Sequence, residues 1–396
     1  MDAGRLERIG AHLRSAYVDN GKLPGCQVAV VRRGHLAYWA TLGLADREHG
    51  VALADDTIFR IFSMTKPVAS VALMTLYEQG AFQLLDPVHR YIPEWRTLQV
   101  GEATGDGAMT LVKPQRPMQV RDLLMHTSGL AGGLFGGHPI DDAFKEARAA
   151  LGPGQTLESV AALLAEHPLK FHPGTQWNYG LSTDMVGRLV EILSGQPFDQ
   201  YLRRQIFAPL GMGDTGFWVP ESEQRRLAAL YQYQPATTPR LLEGPFATRP
   251  TAPHSYLSGA GGLVSTTSDY LAFCHMLANG GTLEGNRVLG RKTVELMRQN
   301  HLPGGATLGD MAVGGFGEAA FDGVGFGLGF AVGLGPVATT ATSSAGEYSW
   351  GGAASTAFWI DPVEDLYCVF MTQLFPSSAY PLRGQLRALV YQALDD

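Results

Sequence analysis

A serine and a lysine three residues apart form the most chemically suggestive pair in this sequence. They are Ser63 and Lys66 in the segment FRIFSMTKPVAS, and Pro67 follows directly. Proline is tolerated in the first turn of a helix, where its missing N–H has no partner to lose, so a helix should begin at about Ser63 or Met64. The free N–H groups and the dipole of that helix start would favour negative charge near Ser63.

The spacing would also bring the lysine amine to the serine hydroxyl. Residues three apart lie on the same face of a helix, and burial among apolar neighbours disfavours a charged amine, as a base requires. A serine beside such a base is an activated nucleophile. The alternative is that Ser63 only caps the helix and Lys66 is solvated. The chain holds six lysines, and a chance SxxK is common enough that the spacing alone does not decide between the two.

Two further stretches complete a possible site. WNYGLSTD places Tyr179 in a loop directly before the predicted helix start at Ser182. YSWGGAAS places Gly351 and Gly352 within or beside a strand, and glycine there often marks a close approach by another group. A strand edge with exposed N–H groups beside a helix N-terminus can form an oxyanion hole. Together the three stretches form a set suited to acyl transfer.

Other polar motifs give weaker hypotheses. HTSGL offers His126 and Ser128 as a dyad, but residues two apart on a helix end do not face each other, and the chain has no G-x-S-x-G elbow. We expect these two residues to close a helix and shape a turn. The run GVGFGLGFAVG (323–333) precedes no predicted helix, so it indicates a strand rather than a nucleotide loop. The histidines lack partners at ligand spacing, and we expect no metal site and no cofactor.

The elements that must position these residues follow from the apolar pattern. CQVAVV and HLAYWATLG flank the turn RRG and predict a hairpin, and STAFWID and LYCVFMTQL flank PVED and predict another. Between the hairpins the patterns are helical, as in VRDLLM, LESVAALLAEH and STDMVGRLVEILSG, with Pro- and Gly-rich loops. We predict a discontinuous α/β lobe of residues 1–75 and 251–396, with an all-helical lobe of residues 76–250 inserted between.

Composition limits the classes of function. The chain has 396 residues, of which 45% are hydrophobic and 17% charged, and a net charge of −7 with no basic run argues against a nucleic-acid partner. Three separated cysteines argue against a disulfide framework and fit a reduced compartment. The N-terminus is a charged amphipathic helix start without the apolar region of a signal peptide, and no apolar run is long enough for a membrane span. We therefore expect a cytoplasmic protein without a membrane partner.

The motifs together resemble the serine β-lactamase and penicillin-binding superfamily and, more narrowly, the class C β-lactamase-like esterases called family VIII carboxylesterases. The resemblance rests on S-M-T-K at 63–66, Tyr179 with Ser182, and W-G-G at 350–352, with LLMHTSGL, SGAGGLVSTTSDY and FWIDP in addition. It covers nearly the whole chain. It implies a β-lactamase/transpeptidase-like α/β fold, in which an antiparallel sheet flanked by helices carries an all-helical lobe.

The resemblance also implies roles for single residues. Ser63 would be the nucleophile, Lys66 and Tyr179 would form the base system, and the N–H groups of Ser63 and Ala353 would form the oxyanion hole. Which of Lys66 and Tyr179 is the base stays open, because their titrations are coupled. Two motifs depart from the lactamase pattern: Y-G-L-S replaces Y-x-N, and W-G-G replaces K-T-G. Trp350 thus stands in place of a cation that helps hold a lactam carboxylate, which favours esters.

We therefore predict a serine carboxylesterase that hydrolyses short- to medium-chain esters through an acyl-enzyme, with a small-molecule ester as its partner. Ser182, Trp350, Gly351, Gly352 and Ala353 are the candidate oxyanion and substrate-binding residues. Weak β-lactam hydrolysis and acyl transfer to alcohols are open additions. A β-lactamase or D-amino-acid peptidase is the nearest alternative, and a non-catalytic penicillin-recognition module is the alternative from another class. The sequence makes no prediction of the oligomeric state.

Overall fold

An eight-stranded antiparallel sheet, built from both ends of the chain, is the framework of the protein. The computed structural model describes residues 1–103, 108–132, 137–313 and 322–395. The sheet runs in the order β4-β5-β6-β7-β8-β1-β2-β3. Its strands are β1 (Gly25–Arg32), β2 (His35–Asp46), β3 (Val51–Ala52), β4 (Val324–Phe326), β5 (Ala331–Gly333), β6 (Tyr348–Gly351), β7 (Ala357–Asp361) and β8 (Leu366–Thr372). The predicted fold class and both predicted hairpins, β1–β2 and β7–β8, are confirmed.

Helices cover both faces of the sheet and fill most of the chain between β3 and β4. They are α1 (Ala3–Leu13), α2 (Thr65–Glu78), α3 (Val120–Leu124), α4 (Pro139–Ala149), α5 (Leu157–Ala165), α6 (Ser182–Ser194), α7 (Phe198–Leu202), α8 (Thr267–Ala278), α9 (Arg291–Met297), α10 (Leu308–Met311), α11 (Pro336–Thr339) and α12 (Leu382–Tyr391). Within the described parts of the chain, every helix is too short or too polar to cross a bilayer.

Short strand pairs connect the helices. They join Phe59–Arg60 with Val264–Ser265, Val100–Ala103 with Met109–Val112, Thr282–Leu283 with Asn286–Arg287, and Tyr231–Gln232 with both Arg240–Leu241 and Leu374–Phe375. The first pair ties the segment that leads into Ser63 to the segment that follows residue 260. The division of the chain into lobes at residues 76 and 250 stays a prediction.

The two central strands, β1 and β8, are buried on both faces, which explains their continuous apolar sequences. All seven residues of β8 are buried. Alternate residues point to opposite sides. Cys368 packs with α1 and α12 in the core on one face, and Val369 packs in the larger core on the other. A sheet covered in this way gives a rigid base to β7, which pairs with β8, and to β6, which pairs with β7.

Helix α2 lies at the centre of the larger core and carries the serine–lysine motif. All its residues from Thr65 to Leu76 are buried, as expected for a helix that is apolar on most of its circumference. A 3₁₀ turn, Phe62–Met64, precedes it, and Pro67 lies in its first turn, where no N–H is lost. The predicted helix start near Ser63 is confirmed, and Ser63 lies where the chain enters the helix.

The glycine-rich run 323–333 forms strands β4 and β5, which confirms the strand prediction. Gly329, at the turn between them, has φ +95°. A Cβ atom at this position would collide with the Ser70 side chain on α2. Glycine is therefore required there for two reasons, the left-handed backbone and the close approach of the turn to helix α2.

Candidate active site

The structure brings the serine and the lysine of the SxxK motif together. Lys66 Nζ donates to Ser63 Oγ across 3.3 Å. The side chains are nearly sequestered, with 6% of Ser63 and 3% of Lys66 exposed. A contact at this distance between a hydroxyl and a buried amine is the arrangement that nucleophilic catalysis by serine needs.

Two further groups hold the Lys66 amine. Its Nζ donates to the backbone carbonyl of Ala260 at 2.8 Å, and it lies 4.1 Å from the centroid of the Tyr179 ring. An ammonium over an aromatic face is attracted by the negative ring face. The amine therefore lies between helix α2, the 258–260 turn and the loop that carries Tyr179, so that these three parts of the chain share one polar centre.

Tyr179 lies in the loop directly before α6, where the sequence placed it. It is 3% exposed and packed among aromatic rings, with centroid distances of 5.0 Å to His126, 5.9 Å to Trp177 and 5.7 Å to Trp350. A ring enclosed on several sides has little rotamer freedom. The packing thus fixes the phenol beside Lys66.

A buried carboxylate that the sequence-based prediction missed, Asp184, fixes the turn that contacts Lys66. Asp184, in the first turn of α6, accepts from Ser258 Oγ at 2.6 Å and from the Ala260 N–H at 3.3 Å. These contacts fix the turn whose Ala260 carbonyl meets Lys66. Burial raises the pKa of Asp184, while these hydrogen bonds and the Lys66 charge oppose the rise. An aspartate in the apolar pattern of a helix was the available signal for it.

A buried ion pair, also missed, anchors the Tyr179 loop. Lys170 Nζ lies 2.6 Å from Asp141 Oδ2 and donates to Asn178 Oδ1 at 2.9 Å. The Asn178 N–H donates to the His126 carbonyl at 2.9 Å. Asn178 directly precedes Tyr179, so this network holds the backbone of the tyrosine loop against two other segments. A buried charge is tolerated in a protein interior when it is paired with an opposite charge.

The glycine pair at the end of β6 is approached closely, as predicted. A Cβ atom at Gly351 would collide with the guanidinium of Arg383, and one at Gly352 would collide with the Ile61 carbonyl and the Thr356 hydroxyl. Ile61 lies two residues before the nucleophile candidate. The W-G-G stretch is therefore packed directly against the segment that leads into Ser63.

Ala353 begins the turn between β6 and β7. The turn is closed by hydrogen bonds from the Gly352 N–H to the Thr356 carbonyl at 2.9 Å and from the Ser355 N–H to the Gly352 carbonyl at 3.1 Å. Among the described residues no backbone carbonyl accepts from the Ala353 N–H. An N–H group without a backbone acceptor beside the entry to a helix is suited to bind an oxyanion.

Trp350 lies deeper than the sequence suggested. Only 5% of it is exposed, and its ring packs 5.7 Å from Tyr179 and 5.3 Å from Phe326, centroid to centroid. The indole therefore packs against one side of the Tyr179 ring. That it also contacts substrate stays a prediction.

The competing dyad does not form. Ser128 Oγ and Ser182 Oγ are 2.8 Å apart and hydrogen bonded, which ties α6 to the HTSG segment. His126 Nε2 lies 3.4 Å from Thr183 Oγ1, and no hydrogen bond joins His126 to Ser128 in the described structure. Burial, with the Lys66 charge adding to it, holds the pKa of His126 well below its usual value, so the imidazole is neutral. Ser182, 2% exposed, is itself engaged in this contact.

Metal ligands do not converge in the part of the chain that the structure covers. Residues 1–103, 108–132, 137–313 and 322–395 contain no group of three His, Cys, Asp or Glu side chains that could hold an ion. His172 lies 2.9 Å from Glu102, and His167 contacts the Leu163 carbonyl. These histidines therefore have local structural contacts.

Comparisons with known proteins agree with the fold described above. The Beta-lactamase family model matches residues 11–392. The chain is 31% identical to esterase EstB of Burkholderia gladioli, with 99% of this chain and 96% of that protein covered. It is 28% identical to a lovastatin esterase of Penicillium rubens, with 94% and 93% covered. Among solved structures it is similar to EstCE1, a hydrolase with promiscuous acyltransferase activity, with a TM-score of 0.79, 28% identity and 98% of each chain covered.

Proposed function

This chain belongs to the β-lactamase family, and on that premise we propose that it is a serine carboxylesterase that cleaves small carboxylic esters with short to medium acyl chains. The observation that carries the proposal is the buried contact between Lys66 Nζ and Ser63 Oγ, because a serine beside a buried amine is an activated nucleophile. The relatives that bear the name esterase support the choice of substrate class.

In the acylation step, Ser63 Oγ attacks the ester carbonyl carbon while its proton passes to the base system of Lys66 and Tyr179. The carbonyl oxygen becomes an oxyanion, for which the N–H groups of Ser63 and Ala353 are the proposed donors. When the tetrahedral intermediate collapses, the C–O bond to the alcohol breaks. The same base system returns the proton to the leaving alkoxide, and the acyl group stays on Ser63.

Deacylation repeats these steps with water as the nucleophile. The base system takes a proton from water, the hydroxide adds to the acyl carbon, and the bond to Ser63 Oγ breaks as that oxygen regains its proton. The carboxylic acid leaves and the enzyme returns to its starting state. Because both proton transfers use the same two groups, Lys66 and Tyr179 form one catalytic unit.

Esters are favoured over β-lactams by two apolar side chains. Trp350 stands where the lactamase motif has a lysine, and Leu181, 8% exposed, stands where the Y-x-N motif has its amide. An aromatic and an aliphatic side chain bind neutral acyl and alcohol groups through apolar contact but offer no charge-assisted hydrogen bond to a carboxylate. We propose at most weak β-lactam hydrolysis on the same apparatus.

Acyl transfer to an alcohol is the second candidate function. The nucleophile is 94% buried and lies near a cluster of aromatic rings that includes Tyr179, Trp350 and Phe326, so an apolar alcohol can compete with water for the acyl-enzyme. EstCE1, the structural relative, is a hydrolase with promiscuous acyltransferase activity. Mass spectrometry of the products formed with added short alcohols distinguishes transfer from hydrolysis.

A cytoplasmic location is proposed from the cysteines. Cys26, Cys274 and Cys368 are buried and unbridged, which fits a compartment that keeps thiols reduced. Fractionation of cells that produce the protein from its own gene, with marker enzymes for each compartment, tests this location.

The test of the proposed function compares Ser63→Ala with Ser70→Ala, a buried serine on the same helix. Wild type and Ser70→Ala should hydrolyse p-nitrophenyl acetate, butyrate and octanoate and should bind one fluorophosphonate each. Ser63→Ala should lose the adduct and several orders of magnitude in kcat. Full labelling of Ser63→Ala would contradict the assignment.

Parallel assays separate the alternatives. Faster turnover of nitrocefin than of any ester would favour a β-lactamase, and turnover of D-alanyl peptides would favour a peptidase. A stoichiometric burst without turnover on every substrate would indicate a penicillin-recognition module.

A further inference from the structure

An arginine from the C-terminal helix reaches the turn that follows W-G-G. Arg383, in the first turn of α12, donates from Nη2 to the Gly352 carbonyl at 3.1 Å and to the Thr356 carbonyl at 3.0 Å. It is half-buried. The guanidinium thus bridges both ends of the tight turn between β6 and β7.

The Gly352 carbonyl belongs to the same peptide group as the Ala353 N–H. A trans peptide is planar, and its C=O and N–H bonds point in opposite directions. A donor that fixes the carbonyl therefore fixes the direction of the N–H on the other side. A charged donor also polarises the amide, and hydrogen bonds in such chains strengthen one another.

The other proposed oxyanion donor is oriented by different means. The peptide that carries the Ser63 N–H has its carbonyl on Phe62, and that carbonyl accepts from the Thr65 N–H at the start of α2. The helix therefore fixes this peptide. The Ala353 peptide lies in a turn outside any helix, and its Gly352 carbonyl accepts from the Ser355 N–H and, in addition, from the Arg383 side chain.

The rest of the turn is anchored away from the Ala353 N–H. Ser355, with φ +69°, donates from Oγ to the Leu374 carbonyl at 2.7 Å, and the Thr356 hydroxyl contacts the Ile61 carbonyl at 3.4 Å. These contacts hold the far half of the turn. The carbonyl of the Gly352–Ala353 peptide accepts from the Ser355 N–H and from Arg383, and Arg383 is the charged donor of the two.

We propose that Arg383 is a positioning residue for the oxyanion hole, which orients and polarises the Gly352–Ala353 peptide so that the Ala353 N–H binds the oxyanion. The inference rests on the proposed function, because it assigns the Ala353 N–H to the tetrahedral intermediate. It also accounts for Gly351, since any side chain at that position would push the guanidinium away from the Gly352 carbonyl.

The first test is Arg383→Met, which keeps the length of the side chain and removes its charge and donors. Outright loss of an oxyanion donor costs about 10²–10³-fold in kcat, and loss of its orientation should cost roughly 10- to 100-fold. KM for p-nitrophenyl butyrate should stay within about threefold, because the contact matters mainly in the transition state. Arg383→Lys, which restores one charged donor, should recover kcat to within about fivefold.

A transition-state analogue gives a readout that a purely structural role would not move. An alkyl trifluoromethyl ketone adds to the serine and places an oxyanion in the hole. Its Ki for Arg383→Met should rise by the same factor by which kcat/KM falls. An unchanged Ki and kcat in Arg383→Met would overturn the inference.

Arg387→Met is the matched control. Arg387 lies one turn further along the same helix and pairs with Glu347 at 2.8 Å. Its guanidinium lies over the ring of Trp359, which belongs to the core on the face of the sheet opposite Trp350. Its replacement should lower Tm and leave kcat/KM at 25 °C unchanged. If the variant fails to fold, Arg387→Lys, which keeps the charge, takes its place. A loss of activity in the control equal to that in Arg383→Met would overturn the inference.

A double-mutant cycle tests whether Gly351 and Arg383 act through the same contact. Gly351→Ala should lower kcat by about the same factor as Arg383→Met, because its methyl group displaces the guanidinium, and the double variant should lose little more than either single one. Losses that multiply would overturn the inference. If Ser63→Ala abolishes turnover and Arg383→Met leaves kcat and Ki unchanged, only the inference fails, whereas activity that survives in Ser63→Ala contradicts the proposed function itself.

Discussion

Two buried tryptophans on neighbouring strands allow the contribution of Trp350 to catalysis to be separated from its contribution to stability. Trp350 on β6 packs against Tyr179, with ring centroids 5.7 Å apart. Trp359 on β7 is fully buried in the core on the opposite face, where the Arg387 guanidinium lies 5.0 Å from its ring centroid. The register, in which Trp350 faces Phe358 and Trp359 faces Ser349, explains why the rings point to opposite sides.

Trp350 and Trp359 are each replaced by leucine in separate variants. Replacement of a buried tryptophan by alanine costs about 3–5 kcal/mol, and leucine, which keeps part of the volume, should cost about 2–3 kcal/mol in the free energy of unfolding. The Trp359 indole N–H is buried without a hydrogen-bond partner among the described residues. Removal of such an unsatisfied donor offsets part of the loss in the free energy of unfolding. Urea unfolding, monitored by circular dichroism, measures the free energy of unfolding of both variants.

Only Trp350→Leu should affect catalysis. Without the indole, the Tyr179 ring gains space on one side, and misplacement of a catalytic group by about 1 Å can cost roughly 10²-fold. We expect kcat for p-nitrophenyl butyrate to fall by about 10- to 100-fold in Trp350→Leu, and kcat of Trp359→Leu to stay within about twofold of wild type. Trp350→Phe, which keeps an aromatic wall, should retain most of the activity. Equal losses of kcat in the two leucine variants, or none in Trp350→Leu, would refute the argument.

Three further predictions concern buried ionisable groups. Lys66→Ala, Tyr179→Phe and the double variant should each lower kcat by nearly the same factor, because the two groups act on one proton; losses that multiply in steady-state assays would contradict a shared role. Burial raises the pKa of Asp184, so the stability that the protonated carboxyl provides is present below about pH 4 and is lost as the pH rises through the raised pKa. The unfolding free energy of the wild type should therefore fall relative to that of Asp184→Asn over this window, and urea titrations that give a pH-independent difference would count against it. Lys170→Met leaves Asp141 buried without its partner at 2.6 Å and should cost about 3–5 kcal/mol; a measured loss below about 1 kcal/mol would show that the pair is not needed.

The parts of the site that depend on local spacing could be predicted from the sequence. Ser63 and Lys66 are three residues apart on one helix, and helical geometry alone brings their side chains together. Pro67 indicated where that helix begins. The position of Tyr179 before α6 and the close approaches at the glycine pair follow from similarly local rules.

The long-range contacts could not be predicted in this way. The Ala260 carbonyl meets Lys66 across 194 residues of sequence, and it is a backbone atom, so no residue type signals it. Arg383 is one of 24 arginines, and nothing in its neighbours indicates a contact with the turn after β6. Trp350 was interpreted as a wall of the substrate site, whereas its burial against Tyr179 depends on how β6 packs on the helical part of the chain.

Backbone atoms supply several of the decisive polar contacts of this site, and this determines which substitutions it tolerates. The Ala260 carbonyl holds Lys66, and the Ala353 N–H is a proposed oxyanion donor, so neither contact depends on the side chain at its own position. Gly351 and Gly352 are different, because any Cβ atom there would displace Arg383 or collide with the Ile61 carbonyl. Serine at position 260 or 353 should therefore cost little activity where the added hydroxyl fits. Alanine in place of either glycine should lower the activity. A geometry held in this way is fixed by the fold rather than by side-chain rotamers, which is what preorganised electrostatic stabilisation requires.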